Sequence, residues 1–193
     1  YRVKTFIVQA DVSSRQDAES AVSEIKKQFK SIDIMVLMAS VFYKTKLESI
    51  SDADLQKNFD VHVKGTFWPI QSSLSLMPKG SHIITISDRT SSGIAYSEYF
   101  PYVITKGTVM QMTKVLAVEL GSRGIFVNSI APGPVLKPEG MPESDWKKIR
   151  QSSIVNCPIT DEEAVTEFAK LVLYLSTTRS TGAVYSLDFG HLY

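Results

Sequence analysis

The sequence predicts an α/β fold: a mostly parallel, doubly wound sheet in three α/β/α layers, with helices on both faces. Three observations predict it. Short apolar runs alternate with amphipathic segments from Thr5 to Asp188. Hydroxyl capping signals open two of those amphipathic segments. A chain of 193 residues that is 44% hydrophobic and 21% charged has the size and make-up of one globular domain, taken to span 1–193.

Thr5–Ala10 (TFIVQA) reads as a buried strand, and Asp17–Lys30 as a helix with Ala18, Ala21, Val22, Ile25 and Phe29 at helical spacing. The run Ile34–Met38 is the next strand. Ser51 with Asp54 resembles a capping box opening a long helix, along which Leu55, Phe59, Val63, Phe67, Ile70 and Leu74 form one apolar face. Lys79-Gly80 stops it. His82–Ile86 is a strand, followed by a loop rich in Ser, Gly and Tyr from Ser87 to Phe100. Pro101 is placed to start a helix over about Tyr102–Leu120. Ile125–Ile130 is a strand closed by Ala-Pro-Gly-Pro, and a polar excursion follows over Leu136–Pro158. Thr160 with Glu163 caps a helix through Leu175, and Ala183–Asp188 is the last strand.

Lys plus Arg total 21 against 20 for Asp plus Glu, so the net charge of +1 makes no electrostatic case for nucleic acid or an anionic membrane. The longest apolar runs are about six residues, too short for a membrane span. The opening Tyr1-Arg2-Val3-Lys4 does not read as a secretory signal. Cys157, the single cysteine, predicts a reducing, cytoplasmic setting and reads as an inert thiol. No His/Cys/Asp/Glu group has metal-ligand spacing, so no metal is expected.

Parallel sheets bind ligands beyond the carboxyl ends of their strands. Those positions are Asp11, Ala39, Ser87-Asp88 and Pro132-Gly133. The sharpest chemical signal is Tyr102-Val-Ile-Thr-Lys106, whose two named side chains share one helix face. An ammonium near a phenol lowers the phenol pKa and makes it a usable acid or base. By itself such a pair is common; its context is what distinguishes it.

That context is an ordered set: Ala10-Asp11-Val12-Ser13, a strand ending Ile86-Ser87, Tyr102 with Lys106, Val127-Asn-Ser-Ile-Ala-Pro-Gly133, Thr181-Gly182 and Asp188-Phe-Gly190. Across the whole chain this resembles the short-chain dehydrogenase/reductase family and its Rossmann-like sheet. The resemblance implies Tyr102 as the proton carrier and Lys106 as the residue that binds the nicotinamide ribose and tunes Tyr102. It implies Asp11 and Val12 beside the adenine, Ala39 in the cofactor cleft, Pro132-Gly133 beside the nicotinamide and Val135 near its carboxamide. It also implies a dimer or tetramer built through the helices of 52–77 and 102–120, in a two-fold contact of about 1,600 Å² or more.

Four departures accompany it. The family's glycine-rich phosphate turn does not appear, since the first glycine is Gly65. By alignment the first strand-helix-strand unit is missing. With no initiator methionine, this predicts an N-terminally incomplete sequence, in which Thr5–Ala10 either lies two strands away from Ile34–Met38 or pairs with it. The usual Asn-Asn-Ala-Gly reads Leu37-Met38-Ala39-Ser40, and a structural asparagine is replaced by His62. The serine that bonds a substrate carbonyl aligns with Asp88, while Ser87, Thr90, Ser91 or Ser92 is placed to take over the role. Against that role at the substrate, Asp88 reads equally as a loop carboxylate that caps a turn or pairs with Arg89, and Tyr96, Tyr99 and Phe100 read as pocket aromatics or loop packing. The expected function is hydride transfer between NADP or NAD and a small carbonyl or alcohol, with NADP favoured by family prevalence. The alternative is a redox-inactive member acting as an isomerase, cyclase, dehydratase or binding subunit.

Overall fold

A computed structural model describes residues 3–91, 93, 95–151 and 159–191. Helix α1 (Arg15–Gln28) begins at Ser14, whose side chain caps the Asp17 backbone N–H. Strand β1 (Ile34–Leu37) follows. Helix α2 (Asp52–Phe59) starts with the Ser51/Asp54 capping box, both halves of which are formed. A five-residue π-helical turn (Asp60–Lys64) then leads into α3 (Gly65–Ser73). Next come β2 (His82–Ile86), the 22-residue α4 (Phe100–Gly121) and β3 (Phe126–Pro132). Helices α5 (Glu143–Gln151) and α6 (Asp161–Leu175) precede β4 (Val184–Leu187).

The four strands form one parallel sheet in the order β1-β2-β3-β4. Because strand side chains alternate in direction, β2 supplies both faces. Ile83 packs with Ile70, Ala117, Leu120 and Val127 on the α3–α4 side. Ile84 and Ile86 pack with Ile130 and Leu175 on the α6 side. These two apolar layers hold the helices against the sheet and place the carboxyl ends of β2 and β3 side by side. No helix among the described residues is long and apolar enough to cross a membrane.

Three expectations are corrected. Thr5–Ala10 is not a strand: β1 pairs only with β2, and Ile7 is 92% exposed. A strand needs a hydrogen-bonded neighbour, and no described residues provide one on that side of β1. The long helix after Ser51 is not continuous. The π-helical turn admits an extra residue and rotates the helix beyond it, so Leu55 and Phe59 are 37% and 45% exposed while Ile70 is buried. The polar excursion contains α5, whose acidic first turn (Glu143, Asp145) and basic last turn (Lys148, Arg150) suit the helix dipole. Trp146, pointing inward from α5, is its buried anchor.

Candidate active site

Strand β2 runs out at Ile86, and the chain turns through Ser87 and Asp88 beneath the first turns of α4. Pro101, whose missing N–H costs nothing at a helix start, sets Tyr102 and Lys106 one turn apart on the buried side of α4. Tyr102 and Asp88 are each 7% exposed and Lys106 is 3% exposed. The Tyr102 hydroxyl donates to Asp88 Oδ2 at 2.7 Å. Asp88 Oδ1 accepts from the Thr90 backbone N–H and the Thr90 hydroxyl, both at 2.8 Å. Lys106 Nζ donates to the Ile86 carbonyl at 2.9 Å and lies 5.8 Å from the Tyr102 ring centre.

This geometry sets the charge states. Burial, and then the neighbouring Asp88 charge, push the Tyr102 phenol well above its ordinary pKa. Tyr102 is therefore a protonated donor at neutral pH. This corrects the expectation of a phenol lowered by Lys106, because the carboxylate bonds the phenol directly and the ammonium does not. Burial lowers Lys106 to about 8, against the opposing pull of Asp88.

Ser87 does not face this group. Its hydroxyl donates to the Ile130 carbonyl at 3.2 Å and accepts from Ser129 Oγ at 3.0 Å, which ties it to β3. Asp88, rather than Ser87, occupies the place beside Tyr102, with Thr90 as its cap. Ser92 and the side chain of Ser91 lie outside the described residues, as does Cys157.

His62, on the π-helical turn, is 1% exposed. Its Nε2 lies 3.1 Å from the Val41 backbone N–H and 3.0 Å from Ser40 Oγ. A backbone N–H can only donate, so Nε2 is the acceptor and Nδ1 carries the proton. Nδ1 then donates to Thr105 Oγ1 at 2.8 Å, and Thr105 donates onward to the Pro101 carbonyl. Burial, reinforced by the Lys106 charge, lowers His62 to about 3, so the ring is neutral. His62 braces the loop after β1 against α4. The partners of His62 lie 21 to 43 residues away in the chain, so the sequence alone does not name them.

Beside the Tyr102–Asp88 pair opens a cavity of about 1100 Å³. Phe42, Tyr96, Tyr99 and Tyr102 form one wall, with Phe42 stacked on Tyr99 at 4.4 Å and edge-on to Tyr102 at 4.8 Å. Pro132, Gly133 and Val135 line another part, and Trp146 of α5 a third. Phe100 is 48% exposed and does not line the cavity. Arg89 bonds Tyr96 and the His191 carbonyl, while Asp88 is capped by Thr90. Asp88 thus caps the turn at Thr90 and at the same time accepts from Tyr102.

A family model described as enoyl-(acyl carrier protein) reductase matches residues 1–191. The chain belongs to this short-chain dehydrogenase/reductase family. It is similar to glucose and ribitol dehydrogenase homolog 2 of Arabidopsis thaliana, 32% identical over 135 residues, which are 68% of this chain and 45% of that protein. It is also similar to a 3-oxoacyl-(acyl carrier protein) reductase of Staphylococcus aureus, 27% identical over 180 residues, covering 92% of this chain and 72% of the relative. Among solved structures, a metagenomic blue fluorescent protein in complex with NADPH superposes with a TM-score of 0.84 at 26% identity, over 96% of this chain and 75% of the other. The chain thus spans about half the length of the first curated relatives it matches.

As a short-chain dehydrogenase/reductase, the chain brings together some of the expected cofactor residues and not others. Pro132, Gly133 and Val135 line the cavity next to Tyr102. Lys106 spends one of its three N–H donors on Ile86, which leaves donors for a ribose hydroxyl. The nicotinamide-ribose half of a dinucleotide therefore fits these residues. Gly133 has a second reason to be glycine: a Cβ there would stand 2.7 Å from Asp188 Cα and 2.8 Å from the Asp188 carbonyl. Asp11, Val12 and Ala39 do not line that cavity. Asp11 caps the Ser13 backbone N–H and hydroxyl, and Val12 packs against Gly65, where a Cβ would approach Val12 Cγ2 to 2.9 Å. Ala39 is exposed at the end of β1. Among the described residues, no group of three His, Cys, Asp or Glu is arranged to hold a metal.

Proposed function

We propose that the whole protein is an NAD(P)-dependent oxidoreductase that transfers a hydride between nicotinamide and a small substrate, the carbonyl/alcohol pair being the ordinary case. The carrying observation is the convergence of a protonated Tyr102, a buried Lys106 and an open cavity at the carboxyl ends of β2 and β3. When bound, the dinucleotide supplies the hydride acceptor or donor. Lys106 holds the ribose, Pro132, Gly133 and Val135 flank the nicotinamide, and Tyr102 moves the proton at the reacting heteroatom. NADP is preferred over NAD in this reading; the solved relative that superposes well carries NADPH. Fluorescence titration of the full-length protein with NADPH and NADH tests it, with tighter NADPH binding expected; absence of binding by either refutes it.

A cytoplasmic homo-oligomer belongs to the same proposal. Leu55 and Phe59 of α2 and Ile104, Val115 and Val118 of α4 are exposed apolar residues, Val118 at 81%. They suit a two-fold contact between copies. Sedimentation at micromolar concentration should give a dimer or tetramer, and a monomer would count against the contact.

A further inference from the structure

We infer that the cavity selects a substrate whose reacting heteroatom is a cationic nitrogen, so that the bond reduced is C=N rather than C=O. This rests on the oxidoreductase reading above and narrows it. Asp88 presents a buried carboxylate directly beside the proton-carrying Tyr102, bonded there at 2.7 Å. Among the described residues, the hydrogen bonds that Asp88 accepts come from neutral groups: the Tyr102 hydroxyl, the Thr90 hydroxyl and the Thr90 N–H. Lys106, the nearby cation, gives its hydrogen bond to the Ile86 carbonyl instead. The negative charge of Asp88 is thus capped by these groups but not cancelled by an ion pair with them.

A fixed negative charge at this point repels an oxyanion developing on a carbonyl oxygen and attracts an iminium. The wall beside it has the matching chemistry. Phe42, Tyr96, Tyr99 and Tyr102 line the cavity, and aromatic rings attract organic cations. Of the other charges at the cavity rim, Lys44 lies 3.6 Å from Glu98, Lys148 lies 3.6 Å from Asp145, Arg89 bonds Tyr96 and the His191 carbonyl, and Glu139 adds a further carboxylate.

In the step, the iminium nitrogen already carries its proton, and the iminium carbon gains the hydride of a reduced nicotinamide dinucleotide. The C=N π pair becomes the nitrogen lone pair of the neutral amine. The nicotinamide is oxidised by two electrons, and Tyr102 keeps its proton on the Asp88 hydrogen bond.

The test compares isosteres on the full-length protein. Calorimetric titration with tetrahydroisoquinoline, a cation at pH 7, and with neutral isochroman isolates the charge. The cation should bind the wild type at least about tenfold more tightly, as an ion pair with aromatic walls predicts, and Asp88→Asn should bring the two ligands near parity. Equal binding to the wild type, or a preference that survives in Asp88→Asn, overturns the inference. Should the asparagine variant not fold, Asp88→Ser replaces it, and the wild-type comparison decides by itself. With NADPH, dihydroisoquinoline should be reduced faster than 1-tetralone; the reverse order overturns the inference. Failure of the separate dinucleotide titration sinks the oxidoreductase reading instead, and leaves the cation preference to be read from calorimetry.

Discussion

Asp88→Ser should convert the site toward ketone reduction. The substitution removes the carboxylate that accepts from Tyr102 at 2.7 Å and from Thr90 twice at 2.8 Å. Two consequences have opposite signs for stability. Leaving the Tyr102 and Thr90 donors short of partners costs about 1–3 kcal/mol, while the desolvation of a charge that is 7% exposed is relieved. A net loss of roughly 1–2 kcal/mol is expected, or a few degrees in Tm. For the reaction, a serine hydroxyl supplies a donor to a developing oxyanion, worth roughly 3 kcal/mol or about a hundredfold in rate. The assay is kcat/KM for 1-tetralone with NADPH in the full-length protein, followed by loss of dinucleotide absorbance. A gain of about a hundredfold is expected. Tyr102→Phe in the same background should abolish it. With the Asp88 charge gone, one cause of the raised Tyr102 pKa is removed, so the alkaline limb of the pH profile should move to lower pH. A well-folded Asp88→Ser variant with unchanged or lower ketone reduction would refute the reasoning, and would show that Asp88 assists carbonyl chemistry.

Three further outcomes are expected. His62→Asn should flatten the acid side of the stability curve: His62 is held near 3 in the folded protein against 6.5 unfolded, so its contribution is full above pH 6.5 and declines as pH falls toward 3. About 2 kcal/mol of it is lost by pH 5, measurable as a Tm difference between wild type and variant that narrows on acidification. Gly133→Ala should destabilise by about 2 kcal/mol, because its Cβ meets the Asp188 backbone and the ends of β3 and β4 must part; thermal melts check it. NADPH affinity in the free enzyme should weaken as pH rises through about 8, where Lys106 loses its charge; Lys106→Arg should show no such midpoint in a fluorescence titration.

The features legible in the sequence were local ones. The Ser51/Asp54 and Thr160/Glu163 boxes name their own helix starts, and both are formed as read. His82–Ile86 is a strand with the predicted limits, since a short β-branched run between a glycine stop and a serine-rich loop has few alternatives. Tyr102 and Lys106 fall together because helical geometry sets their spacing. The rest depended on contacts distant in the chain. The π-helical turn cannot be seen in a periodic pattern that it interrupts by a single residue. Gly133 looked like a ligand-facing glycine, and only the sheet brings Asp188 against it. Thr5–Ala10 has a strand's composition, but composition does not supply the neighbour that a strand requires. Asp88 was recognised as a departure, while the direction of its hydrogen bonds, and with it the charge state of Tyr102, required the fold.

The His62 brace bears on how broad the substrate range is. Through one ring, the loop that carries Phe42 is fastened at Val41 to Thr105, the residue before Lys106. A bulky ligand that pushes Phe42 aside must therefore strain the same helix turn that presents the proton carrier and the ribose anchor. Size and reactivity become linked: analogues that crowd the aromatic wall should lose turnover along with affinity. Breadth would have to come from the α5 side of the cavity, where Trp146 rests on a helix outside this brace.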